Sequence, residues 1–207
     1  MWTISFIRAH INRIPADAIF STRDCLCYGT RSAVDSALHR LVKKEMIIRL
    51  ARGVFIKWSL KAARGTLPSA QEVAQVKARG FGKEIFVHKK DAAAKLGLIK
   101  SGNENPTFGT FGRTTSFRFG QTRITLAHVS PKDANLGDTF VGLLIRASRN
   151  LGFHDQLPNT ISGLTSGLSR TERNNLGVSA AMMPAWLSDL FCSEIIAILR
   201  VKGLSAA

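Results

Sequence analysis

The stretch TRSAVDSALHRLVKKEMIIRLARGVF, Thr30 to Phe55, constrains the fold more tightly than any other part of the chain. Val34, Ala37, Leu38 and Leu41 recur at three- and four-residue spacing, which places them on one face of a helix, and Thr30 stands where an N-cap belongs. The other face carries Ser32, Ser36 and Arg40, flanked by Arg31, His39 and Lys43. MIIRL and ARGVFIKW follow as β-rich runs, with Arg52 and Gly53 at the turn between them.

Upstream, Ile4, Ile7, Ile11 and Ile14 predict an amphipathic helix from Trp2 to Ile14, closed by Pro15. AIFSTRDCLCYG predicts a second, short helix, with Ser21 or Thr22 as cap, Asp24 near its positive end and Gly29 as its stop. Helix, helix, cationic helix and hairpin in this order are the parts of a winged helix-turn-helix. Val34, Leu38 and Leu41 are then expected to bury against Ile7, Ile11 and Leu26.

LKAARGTLPS, with Gly65 and Pro68 and no apolar period, is the expected linker. It sets residues 1–60 as a winged helix-turn-helix domain, 61–68 as linker and 69–207 as a second domain. Ser69 and Glu72 form a capping-box signature ahead of a helix that stops near Gly80 or Gly82. EIFVH predicts a strand, KKDAAAKLGLI a short helix ending near Gly97, and SGNENP a loop. TTSFRFG and TRITLAHV predict a hairpin turning at Gly120 and Gln121. TFVGLLIRASRNLG, RTERNNLG capped by Ser169, and AAMMPAWLSDLFCSEIIAILR return to helix, with the Gly/Ser-rich NTISGLTSGLS as a surface connection. The expected fold class is α+β: an N-terminal winged helix-turn-helix, then a mixed α/β C-terminal domain with a β-hairpin and C-terminal helices.

Charge narrows the function. The 207 residues hold 29 Lys+Arg against 14 Asp+Glu, a formal net charge of +15, and the sequence pI is about 10.6. Such a balance favours an anionic partner. The 3 cysteines suit a reducing cytosol, Cys25 and Cys27 being too close in sequence for a comfortable disulfide. MWTISFIRAHIN interleaves Arg8 and His10 with apolar residues, so no export signal is expected. Ala180–Leu199 is broken by Pro184, Asp189 and Glu194, so no membrane span is expected either, and the expected location is cytoplasmic.

In a helix-turn-helix the second helix of the motif offers side chains to base edges while neighbouring cations hold phosphates. The DNA-binding set expected here is Thr30, Arg31, Ser32, Ser36, His39, Arg40, Lys43, Lys44, Arg49 and Arg52. Arg31, Ser32, Ser36 and Arg40 are the base-facing candidates. Lys43 and Lys44 suit phosphates or the helix dipole, and Arg49 and Arg52 suit the backbone or the minor groove beside the wing.

Enzymatic signatures do not occur. There is no G-x-x-x-x-G-K-[ST] phosphate loop, no H-E-x-x-H and no G-x-S-x-G. His10, His39, His88, His128 and His154 are dispersed, and Asp133 and Asp138 sit beside Pro131 and Gly137 in a turn setting. No catalytic residue, cofactor or metal is expected. Cys25 neighbours Arg23, but its apolar surroundings suit packing better than reactivity. Phe108, Phe111, Phe117 and Phe119 interleave with Arg113, Arg118 and Arg123, as in single-strand stacking surfaces, yet they also hold alternating strand positions suited to a core. An RNA-binding reading stays open on that ground.

IFSTRDC, ALHRLVKKEMIIRLARGVF, PSAQEVAQ, DAAAKLGL and ITLAHVSPK occur in an order that resembles the AbiEi-like antitoxins of bacterial type IV toxin–antitoxin systems, from about Ile4 to the MPAWL segment. The resemblance implies that TRSAVDSALHRL is the recognition helix and RLARGVF the wing of a repressor that binds its own operator as double-stranded DNA. It also implies a nucleotidyltransferase-type toxin encoded next to it, which the C-terminal domain helps to counter. The protein would sit on DNA as a monomer or a dimer. The alternative is an RNA-binding or protein-interaction module of a mobile element with no toxin partner.

Overall fold

A computed structural model describes residues 2–58, 67–99, 105–131, 135, 137–151, 162–163, 165, 169–179, 183 and 185–201. The protein is α+β, and its chain divides into two compact units: residues 1–85 with 103–128, and residues 86–102 with 129–207.

The first unit opens with α1 (Trp2–Arg13), β1 (Ile19–Ser21) and, where the second, short helix is expected, a 3₁₀ turn over Thr22–Tyr28 capped by Ser21 and ended by Gly29. The Asp24 carboxylate closes its first turn by accepting from Ser21 N at 2.8 Å, and short runs of this kind suit the tighter 3₁₀ ladder. Gly29 ends it in extended backbone, and a Cβ there would stand 2.8 Å from Thr3 Oγ1. Its glycine thus lets α1 pack close.

Helix α2 (Arg31–Lys43) begins at Thr30, whose hydroxyl accepts from Ala33 N at 3.4 Å. Its apolar stripe packs as the spacing requires. Ile7, Ile11, Val34, Leu38 and Leu41 are at most 1% exposed in one cluster with Cys25, Ile47 and Phe55, and Leu26 packs against it. Burial of each large side chain contributes about 1.5–3 kcal/mol relative to exposure.

Strands β2 (Ile47–Ala51) and β3 (Val54–Lys57) form the hairpin, and β1 pairs on the far side of β3, giving the order β1-β3-β2. The turn is Arg52-Gly53, with Gly53 at φ +75°, a conformation that glycine adopts without strain. A register shift between Arg49 and Ala51 bends β2 beside it. The three helical segments, the β1-β3-β2 sheet and the short hairpin form a winged helix-turn-helix.

Both faces of the sheet carry buried apolar residues. Phe20, Ile47 and Phe55 join the helical cluster, while Leu50, Val54 and Ile56 pack against Val73 and Val76 of α3 (Ala70–Arg79). Helix α3 is capped by Ser69 and Glu72 as the capping-box spacing predicts, with Ser69 Oγ accepting from Glu72 N at 3.2 Å. Its small residues Ala74 and Ala78 face a second sheet through Ile124, Leu126 and Phe108. In that sheet β5 (Thr107–Thr110) runs parallel to β7 (Thr122–His128), and β6 (Thr115–Phe119) runs antiparallel to β7 across the expected turn at Gly120. Strand β4 (Ile85–Val87) follows α3 and carries the chain out of this unit.

The compact units are therefore cut differently from the expected domains. Residues 59–66, which hold most of the expected linker, lie outside the described residues, but α3 beyond them packs on the winged sheet and belongs to the same unit. A helix with apolar residues on two faces needs a partner on each, and both partners here lie in the first unit.

In the second unit α4 (Lys89–Lys95) meets α5 (Phe140–Leu151) through Ala92, Ala93 and Ala147, small residues that allow close approach. Helices α6 (Arg170–Val178) and α7 (Ala185–Val201) add Leu176, Leu187 and Phe191 to Leu144 and Ile145 of α5. Glu172 accepts from Ser169 N at 2.9 Å, so the predicted cap of α6 is formed. The buried guanidinium of Arg146 donates to Asp138 Oδ1 and to Val87 O, each at 2.7 Å, and to Gly137 O. Asp138 also accepts from Val87 N at 3.1 Å, so it ties a turn to a strand. Asp133, His154, most of SGNENP and most of NTISGLTSGLS lie outside the described residues.

Candidate nucleic-acid interface

Opposite the buried stripe of α2, helical geometry places Ser32, Ser36, His39 and Lys43 in a row, all exposed. The two arginines expected beside them part company. Arg31 flanks the row on the wing side, where with His39, Arg49 and Arg52 it lines a groove of about 190 Å³ between α2 and the hairpin. Arg40 flanks it on the other side, where with Ser36 it lines a recess of about 180 Å³ against Thr3 and Ile4 of α1. Lys44 is exposed and ends α2, its backbone N–H donating to Arg40 O. All ten residues of the expected set thus lie on α2, its cap or the wing. They present a convex helix bordered by cations on both flanks.

One carboxylate interrupts this face. Asp35 Oδ2 accepts from Arg31 Nε at 2.9 Å, both side chains being exposed. Pairs of this kind stabilise a helix by a few tenths of a kcal/mol, and this one holds the guanidinium toward the wing.

The fold adds cations that sequence reasoning missed. Lys77, from α3, donates to Arg52 O at the tip of the wing and lies 5.7 Å from the Phe117 ring. Its pKa is held below the usual lysine value, first by burial and then by repulsion from Arg52, Arg31 and Arg49. Arg23 stacks over Phe81 at 5.3 Å, and Arg79 reaches Asp24 at 3.4 Å. Nothing in the sequence marks Lys77, a polar-face lysine of an ordinary amphipathic helix. Only the packing of α3 behind the wing brings it to the arginines.

The strand aromatics behave as core. Phe108, Phe117 and Phe119 pack against the clusters around α3, whereas Phe111 is 45% exposed. Arg118 and Arg123 oppose each other on the outer face of β6 and β7. Cys25 is buried, and burial with the nearby Asp24 pushes its thiol up to about 12. Among the described residues no three His, Cys, Asp or Glu side chains are grouped to hold a metal ion, and no helix is long and apolar enough to cross a membrane.

Fold and surface together define a winged helix-turn-helix protein with a cationic helix and wing. The chain belongs to the family described as a family of unknown function, DUF6088, which matches residues 6–176. No curated protein matches it significantly.

Proposed function

We propose that this protein is a DNA-binding transcriptional regulator, with α2 entering the major groove and the wing tip following the adjacent backbone. The observation that carries this reading is the exposed row Ser32, Ser36, His39 and Lys43, flanked by Arg31, Arg49 and Arg52 on one side and Arg40 on the other. Short polar side chains at the centre let the helix approach base edges, and the flanking cations meet phosphates of both strands. The net charge of +15 supports it, because such a field favours encounter with a polyanion. The protein acts without a catalytic group, in the cytoplasm, where its free cysteines stay reduced.

The resemblance of its motif order to that of AbiEi-like antitoxins supports a narrower reading: an autorepressor of its own operon, encoded beside a nucleotidyltransferase-type toxin that it counters. The RNA-binding alternative draws less support, because Phe108, Phe117 and Phe119 are committed to packing.

A gel-shift titration against the duplex upstream of its own gene tests the proposal, with a random duplex and a single strand as competitors across a salt series. Preferential, salt-dependent retention of the upstream duplex is expected. Equal affinity for every polyanion would sink it. Co-purification of the adjacent gene product tests the antitoxin reading separately.

A further inference from the structure

Behind the wing, where β1, the Arg52-Gly53 turn and the end of α3 meet, lies a recess of about 140 Å³. It is lined by Ser21, Thr22, Gly53, Gly80 and Phe81 together with the cationic side chains of Arg23, Arg31, Arg52 and Lys77. Ser21 and Thr22 are 4% and 3% exposed; Thr22 Oγ1 has no hydrogen-bond partner, and Ser21 Oγ, which faces Asp24 N in a capping box, donates to nothing. Buried hydroxyls without an acceptor are uncommon in folded proteins. Here both line the same cationic recess.

We propose that this recess is a binding site for a phosphate group, held by the Ser21 and Thr22 hydroxyls at its base and by Arg23, Arg52 and Lys77 at its rim. The two hydroxyls donate to phosphate oxygens, satisfying the donors now left without acceptors. Like charges from separate elements converge here: Arg52 from the wing, Lys77 from α3 and Arg23 from the 3₁₀ turn. The carboxylates bonded to this region are already engaged, Asp35 with Arg31 and Asp24 with Ser21 N and Arg79. An anion is the chemistry that relieves the repulsion and gives both hydroxyls an acceptor. Gly80 keeps the base narrow, since a Cβ there would stand 3.2 Å from Ser21 Oγ. A recess of this size takes one tetrahedral oxyanion with a few waters.

The phosphate could be supplied by the duplex backbone or by a small phosphorylated ligand; the site itself does not depend on the proposed DNA binding. Inorganic phosphate is titrated into the full chain in low-chloride buffer by calorimetry, with wild type compared against Thr22→Val, Lys77→Met and Arg52→Gln. Saturable binding of one phosphate per chain is expected, weakened at least tenfold in each variant. Arg52→Gln changes only an exposed side chain and keeps the test sound where a buried change disturbs folding. No saturable binding, or equal affinity in wild type and Arg52→Gln, overturns the site. Repeating the titration on protein saturated with duplex separates the sources: competition assigns the site to a backbone phosphate, and unchanged phosphate affinity assigns it to a small ligand. Saturable phosphate binding by a chain that retains no duplex would uphold the site and sink the DNA-binding proposal alone.

Discussion

The two units use arginine in opposite ways. In the second, Arg146 is 2% exposed, and its guanidinium is met by the Asp138 carboxylate and the carbonyls of Val87 and Gly137. In the first, Arg31 and Arg79 are paired with Asp35 and Asp24 at the surface, but Arg49 and Arg52 stand exposed at the wing with no ion pair among the described residues, Asp35 lining the same groove, and Lys77 is added to the same sign of charge. A charge answered on several sides holds a structure together. Charges gathered without an answer raise the energy of the free protein and are satisfied by something outside it. Both anion-binding proposals fall in the first unit.

The sharpest way to break this comparison is at Arg146. Arg146→Ala leaves the two carbonyls without their donor and Asp138 with Val87 N alone, and a loss of about 3 kcal/mol in urea unfolding is expected. Arg146→Lys should recover only part of it, because an ammonium does not reproduce the planar fork. Near-wild-type stability in both would mean that the bonds of the buried Arg146 guanidinium are not structural.

Next in size is the double variant Arg40→Ala with Arg52→Ala, which removes one cation from each flank of α2. Duplex affinity should fall about a hundredfold and the slope of log affinity against log salt should drop by about two, with the melting temperature close to wild type. An unchanged salt slope would show that the duplex uses another surface.

Asp35→Asn tests the same surface in the opposite direction. It removes the one carboxylate on the exposed face and releases Arg31, so affinity for duplex should rise about threefold at low salt. A fall would mean that Arg31 acts only while Asp35 holds it.

The smallest effect is in the pH dependence at Lys77. Its pKa is lowered in the folded protein, so the unfolded chain binds the extra proton between that lowered value and 10.5. Stability therefore rises with pH through this window, and below it the penalty is fully present. Thermal melts of wild type and Lys77→Met from pH 7 to 10 should diverge in favour of wild type as pH rises. A constant difference would mean that Lys77 is not held among the arginines.

Local signals were read well where local physics decides. The capping boxes at Ser69 and Ser169, the turn at Arg52-Gly53 and the stripe Val34, Leu38 and Leu41 were all legible, because each depends on residues a few positions apart. At Thr22–Tyr28 the caps announce a short helix, but spacing over 7 residues does not separate 3₁₀ from α. No local pattern announces strand β1, because a strand of 3 residues exists only through its pairing with β3.

The sequence by itself determined the winged helix-turn-helix and the placement of ten polar and cationic residues on α2, its caps and the wing, since helical period, caps and turn chemistry are short-range. Tertiary structure alone decided that Arg31 and Arg40 part to opposite flanks, that α3 belongs with the wing, and that Lys77 joins Arg52 above two hydroxyls without an acceptor. Those facts depend on which faces pack together across tens of residues. No local pattern encodes them, because a lysine on the polar face of α3 reads the same in sequence whether it meets water or a cluster of arginines.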